Sequence, residues 1–419
     1  MQKENFAAGA PKKINNTDIS FIYTVAAVVF AVVAVFYAGF NLLSDADLIS
    51  YENFYYMIND FNISASGIGQ NITEFKYGSG EDQQYGSYRG GLVILNSDTV
   101  TAFSAKGKRT LYKKNSIPNP KLRISDEFIA VFSQNGRAVG LYNSFSLVFS
   151  ESDLETINGL SDYSVIDMEL SDNGMIAIAV NTGTTECRTF LYDKKGKLCA
   201  EYKYNDYITD ISLSPDGGYI AFSYIDADTS DGSVISVSEI YRIGEDAPFA
   251  KYSVNDSLCI SSGFTAENRF ISAFDSQVVA YDASDEKNSF ISILPEAVSV
   301  AFVTVCNDGA MISYMTNDSG VKKLAAVDRT GALHDVKTDI SASVYNSALK
   351  GDFVYIGGYG TDSVEIFNIR TGTTLLVDCG RDTGGANIIV TDEEQNEFIL
   401  CFGSEGIKYN SKAPKVEIR

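Results

Sequence analysis

One strand–turn–strand pattern recurs eight times along this chain, at a mean spacing of about 44 residues, and few folds tolerate such a period. Its clearest copy is LSPDGGYIAFSY (213–224). Looser copies are LSDNGMIAIAV (170–180), FTAENRFISAF (264–274), VCNDGAMISYM (305–315) and LKGDFVYIGGY (349–359). In each, a turn rich in Asp, Asn or Gly separates two runs of β-branched and aromatic residues, and the second run is strongly apolar. Hairpins with a glycine turn alternate with these segments: TAFSAKGKRTLY (101–112), FLYDKKGKLCAEY (190–202), AAVDRTGALHDV (325–336) and EIFNIRTGTTLLV (365–377). Aligning the apolar second strands brings Val93, Ile129, Ile176, Ile220, Ile271, Ile312, Val354 and Phe398 into register.

Two such hairpins per period make four strands, the content of one β-propeller blade. A lone blade leaves both faces wet, whereas stacking in a ring buries them, so many copies occur together. The spacing predicts an all-β fold, a β-propeller over residues 62–419 with eight blades, seven being the alternative. The blades are expected to begin near Asn71, Ile117, Leu160, Asp206, Asp256, Ala297, Ala342 and Gly384. The final stretch GIKYNSKAPKVEIR reads as a last hairpin, and which terminus closes the ring is open.

The run Ser214 to Phe222, SPDGGYIAF, resembles the strand–turn–strand signature of TolB-like and WD-repeat-type propellers. The closing Trp-Asp of a WD repeat is missing, since the chain contains no Trp. A tail with Lys3, Lys12 and Lys13, the apolar run 19–43, the stalk SDADLISYENFYY and then the propeller follow in order, and that plan resembles a family of membrane-anchored propellers of unknown function in Firmicutes. That resemblance implies a fold and a location and brings no catalytic residues.

Ahead of the repeats, residues 19–43 (ISFIYTVAAVVFAVVAVFYAGFNLL) carry no charge. As a helix they span roughly 37 Å, more than the roughly 30 Å of bilayer hydrocarbon. They are expected to form a single transmembrane helix, the membrane partner of the chain. A cleaved signal peptide with Ser44-Asp45-Ala46 at its end is the competitor; the apolar part of such a peptide is usually shorter. Lys3, Lys12 and Lys13 precede the run, and no Lys or Arg follows it until Lys76. The positive-inside rule therefore places 1–18 as a cytoplasmic tail, 44–61 as a juxtamembrane stalk and the propeller outside the cell membrane. Ala27, Ala31, Ala34 and Ala38 form a small-residue stripe suited to close helix approach. Leu48, Tyr51, Tyr55 and Ile58 recur at helical spacing in the stalk.

Charge and composition narrow the chemistry. The chain carries a net −21, which argues against a nucleic-acid partner. Its one histidine, His334, is expected as an exposed strand residue; one imidazole supplies neither a metal cluster nor, without a G-x-S-x-G elbow, a serine triad. The cysteines Cys187, Cys199, Cys259, Cys306, Cys379 and Cys401 form no C-x-x-C and sit mostly one per blade in apolar strands, as small core residues do. In the hairpin holding Cys187 and Cys199, Phe190 is expected to face Cys199, which leaves a bridge between the two unfavoured. No cofactor is expected.

Two groups of carboxylates stand out. Asp226, Asp228 and Asp231 share one loop and suggest a calcium site, against which stand the absent glycine and glutamate of an EF-hand and the plainer reading of a solvated turn. Asp167 and Asp210 align in adjacent blades at the start of the innermost strand, where both point at the central funnel. There they form a ligand or acid–base pair, or simply accept backbone N–H groups. The function expected is a non-enzymatic binding or scaffolding module at the cell surface with a protein or cell-wall partner. The alternatives are an enzyme acting on wall glycans or peptides through funnel carboxylates, and a surface sensor with a membrane partner.

Overall fold

The computed structural model describes residues 73–410 apart from 81, 155, 184–185, 227–233, 286–287, 295–297, 317–321, 339–343 and 393–396, together with 416–418 and scattered positions between 23 and 56. The chain divides into two units, residues 1–69 and 70–419. In the first, Tyr23–Val25, Ala27, Val28, Phe30–Val32 and Val35 are helical. Their apolar side chains are bare, with Tyr23, Phe30 and Val35 each more than two-thirds exposed. Among the described residues no helix is long and apolar enough to cross a membrane. Most of 19–43 lies outside them, as do Ala34, Ala38, Leu48, Tyr51 and Ile58; Tyr55 is helical.

The second unit is a β-propeller of eight antiparallel sheets. Blades 1 to 7 follow in chain order: 84–114, 120–150, 164–204, 207–255, 259–294, 298–335 and 344–378. All eight aligned apolar positions, from Val93 to Phe398, lie in the second strand of their sheets. These strands are buried on both faces: Gly91–Leu95 and Ile129–Ser133 are buried at every position. Outer strands such as Ala250–Asn255 alternate instead, because only one face meets a neighbour. An apolar cluster fills each of the eight joints between neighbouring blades, so the core is a ring of interfaces.

Closure differs from the expected start near Asn71. Thr73–Lys76 does not begin blade 1; it is the outer strand of blade 8, paired to Glu405–Asn410 with Phe75 opposite Gly406. Blade 8 is thus built from both ends of the domain, its inner strands being Asn387–Asp392 and Glu397–Cys401. Phe75 is fully buried and meets Phe103 of blade 1 edge-on at 5.8 Å, which ties the closing strand to the next blade. The last stretch is not a hairpin. Val416–Ile418 leaves blade 8 and adds a fifth strand to the outer edge of blade 7, Val416 pairing with Val377.

The innermost strands line the axis. In blades 3 to 8 each contains a β-bulge, after which come Asp167, Asp210, Ser261, Phe302, Asn346 and Asp392. A bulge inserts one residue, bends the strand and re-aims the next side chain. Asp167 and Asp210 therefore hold equivalent places, but in mid-strand after the bulge rather than at the strand start.

Candidate functional site

Arg123, on the inner strand Pro120–Ile124 of blade 2, organises one side of the axial channel. Its Nε donates to Glu169 Oε1 at 2.7 Å, its Nη2 to Asp167 Oδ1 at 3.0 Å and its Nη1 to the Leu122 carbonyl at 3.4 Å. Asp167 and Glu169 stand two residues apart on one strand and so share a face, which makes the fork possible. Asp210 of blade 4 points to the other neighbour: its Oδ2 accepts from the Ser262 backbone N–H at 2.7 Å and from Ser262 Oγ at 2.8 Å. Behind it serine hydroxyls link blades 4 and 5, Ser212 to the half-buried Ser262 at 2.9 Å, and the buried pairs Ser223 to Ser238 and Ser238 to Ser272 at 3.0 Å.

Three carboxylates here face one guanidinium. Burial pushes the Glu169 carboxyl up to about 7, against the pull of Arg123 and with the charge of Asp167 adding to it. Burial, then the charges of Asp167 and Glu169, raises Asp210 well above the usual carboxylate range, against the two bonds from Ser262. The geometry thus brings Asp167 and Asp210 within each other's field, together with Arg123 and Glu169. The turn alignment did not reveal that Arg123 and Glu169 belong with them. The i, i+2 relation to Asp167 is the signal that finds Glu169.

Across the axis a cavity of about 570 Å³ is walled by inner strands of blades 1, 2, 6, 7 and 8, with Gln83, Tyr85, Arg123, Phe302, Asn346 and Asn387 among its lining. The turns between inner and second strands meet at one end of the channel. Asn173 Nδ2 donates to the Asp216 carbonyl at 2.5 Å, Asn268 Nδ2 to Asp216 Oδ2 at 2.7 Å, and Asn307 Nδ2 to Asp172 Oδ2 at 2.7 Å. The last bond joins blade 6 to blade 3, so it bridges the axis and narrows that mouth. The SPDG motif proves to be a turn device: Asp216 Oδ1 accepts from Ser214 Oγ at 2.6 Å and from the Gly218 N–H at 2.9 Å, while Gly217 takes φ +68°.

The other singled-out residues are dispersed. Asp226 ends the second strand of blade 4; Asp228 and Asp231 lie outside the described residues. Among the described residues no group of side chains is set to hold a metal ion. His334 is not a bare strand residue: its Nε2 sits 2.9 Å from Asp328 Oδ2, half-buried on the outer strand of blade 6. All six cysteines are free thiols, with Cys187, Cys379 and Cys401 buried and Cys199 exposed. The register in that hairpin also differs from expectation. Phe190 faces Glu201 and Cys187 faces Tyr204, while Cys199 occupies a bulge between the pairs Leu191–Ala200 and Tyr192–Leu198.

Neither the cavity nor Glu239 is marked by a motif in the sequence. That carboxylate is buried between blades 3 and 4, accepting from Tyr224 at 2.9 Å, Tyr241 at 3.0 Å and Tyr204 at 3.3 Å, with Lys251 Nζ 3.0 Å away. Burial works against its charge, yet the bonds from Lys251 and the tyrosines hold it below the usual glutamate range.

Among solved structures the chain is similar to several proteins at low identity. A eukaryotic initiation factor aligns at 11% identity and a TM-score of 0.47, over 83% of this chain and 98% of that one. The Cps50 (Swd1) β-propeller domain of Myceliophteria thermophila aligns at 14% and 0.41, over 70% and 96%. A prolyl endopeptidase aligns at 13% and 0.45, over 71% of this chain, which spans about half (49%) of that enzyme's length. No functionally curated protein matches the sequence. Residues 70–409, the propeller from just before its closing strand to the end of blade 8, match one family along their whole length, and the chain belongs to that family of unknown function, DUF5711.

Proposed function

We propose that this protein is a membrane-anchored, extracytoplasmic propeller that works as a binding module rather than as a catalyst, with the axial cavity as its ligand site. The observation that carries this reading is the state of the channel carboxylates. A general acid–base pair needs two carboxyls free to meet a reacting group. Here Asp167 is engaged by Arg123 and Asp210 by two donors of Ser262, so both act first as ties between blades. What remains open is a cavity whose lining combines carboxamides, two aromatic rings and aliphatic side chains, a mixture suited to holding a ligand.

The anchor rests on the uncharged run 19–43, on the lysines ahead of it, and on the bare apolar side chains at its described helical positions, which lipid would cover. Cys199 supplies the test, since it is the exposed thiol on blade 3. In intact cells a membrane-impermeant maleimide is expected to label the protein, and Cys199→Ser to remove the label; alkaline carbonate is expected to leave the protein in the membrane pellet. Labelling only after lysis, or release by carbonate, overturns the placement. Turnover of wall glycans or peptides that disappears in Asp210→Asn with the melting curve unchanged overturns the non-catalytic reading.

A further inference from the structure

The lining of the axial cavity is specific enough to name a class of ligand; this step rests on the cavity being the binding site. Phe302 follows the bulge in blade 6 and is 46% exposed, which leaves its ring open to the cavity. Beside it, blade 7 presents Asn346, itself the residue after a bulge, and Ser347, while blade 8 presents Asn387. Among the described residues these three polar side chains have no hydrogen-bond partner, so two carboxamides and one hydroxyl face the cavity with donors and acceptors free. Among the described lining residues the one cation, Arg123, is already engaged by Glu169, Asp167 and the Leu122 carbonyl.

Each property removes a ligand class. An anion finds no free positive charge and meets the carboxylates behind Arg123. A cation meets the guanidinium first. An extended peptide needs a regular strand edge, and beside Phe302, Asn346 and Asn387 the bulges at Val300/Phe302, Val344/Asn346 and Val390/Asp392 interrupt the edges; the unbroken inner strands in the lining belong to blades 1 and 2. An uncharged ring bearing hydroxyls fits what is left: its C–H face lies on the phenyl ring, and its hydroxyls pair with amides that both donate and accept. We infer that the wall formed by Phe302, Asn346, Ser347 and Asn387 binds a neutral saccharide.

The test is calorimetry on the full-length protein in lipid nanodiscs, with chitotriose, cellotriose and maltotriose as probes and acetyl-(Ala)3-amide as the peptide control. At least one trisaccharide is expected to bind, with Phe302→Ala weakening it tenfold or more and Asn346→Ala or Asn387→Ala also weakening it. Both Phe302 and Asn387 are exposed, so their truncation should leave the melting curve in place; a variant that melts early is replaced by Phe302→Leu, which keeps bulk and removes the ring face. Saccharide binding as tight in Phe302→Ala and Phe302→Leu as in the unsubstituted protein overturns the inference, as does binding of the blocked peptide alone. Peptide binding that depends on Phe302 would leave the cavity as the binding site and remove only the saccharide. Failure of every probe overturns the saccharide assignment, while the maleimide and carbonate results bear on the anchor independently.

Discussion

Two glutamates in this ring are pushed in opposite directions, and the contrast is testable by pH. Glu169 has its carboxyl raised from 4.5 to about 7, so the folded chain binds its proton more tightly than the unfolded chain. Its contribution to stability is complete below about 4.5 and is lost as pH rises through 7. Glu169→Gln keeps an acceptor for Arg123 and removes the titration, so it is expected to flatten the fall of Tm between pH 5 and pH 8; an unchanged slope refutes the assignment. Glu239 has its carboxyl lowered by Lys251 and the tyrosine hydroxyls against the effect of burial. Its contribution is present above the unfolded value and disappears as pH falls through the folded one. Glu239→Gln is expected to cost about 1–3 kcal/mol at pH 7 in denaturant titrations and to lessen the loss of stability on acidification. The sequence showed Asp167 and Asp210 because two turns align, but it hid Arg123. Its strand in blade 2 has no bulge and leads into SDEF, a turn too unlike SPDG for the alignment to carry over.

At the scale of the strand, burial on two faces decides what could be read. Second strands such as IAIAV and VYIGG are continuous runs without charge or strongly polar side chains, because neighbouring blades cover both faces, and these runs gave the period and the blade count. The closing strand Thr73–Lys76 reads TEFK, four residues with one apolar side chain, and nothing in that string marks it as part of a sheet whose other strands lie more than 300 residues away. Its hold depends on Phe75. Truncation to alanine at this fully buried site is expected to cost about 3–5 kcal/mol and to lower Tm, with amide exchange rising first in Thr73–Lys76 and Glu405–Asn410. Exchange that rises uniformly across all eight blades instead would show that this strand is not the weak point. The bulges were legible only in part. The strings VID, ITD, VAF and VYN share an apolar residue two places before the re-aimed side chain, but a register shift is a property of two strands, and one strand's sequence does not show it.

For the whole molecule, the ring rests on eight apolar joints and, among the described residues, one polar bridge across its axis. The joints are similar in kind, so no blade has a core of its own; stability is shared between neighbours, as in other repeat architectures. The exception is the bond from Asn307 to Asp172, which links blades three apart and fixes the narrow mouth of the channel. Sequence order alone could not place those two turns together, since the contact exists only once the circle is complete. Closure by an N-terminal strand has a mechanical consequence. That strand is the first described part of the propeller after the apolar run, so tension transmitted along the polypeptide from its N-terminal side would load the circle at Thr73–Lys76 before any other blade. Four residues of backbone pairing, one buried phenyl ring and the Tyr77 bonds to the carbonyls of Ser404, Phe402 and Glu405 stand between such a pull and the unzipping of the eighth blade.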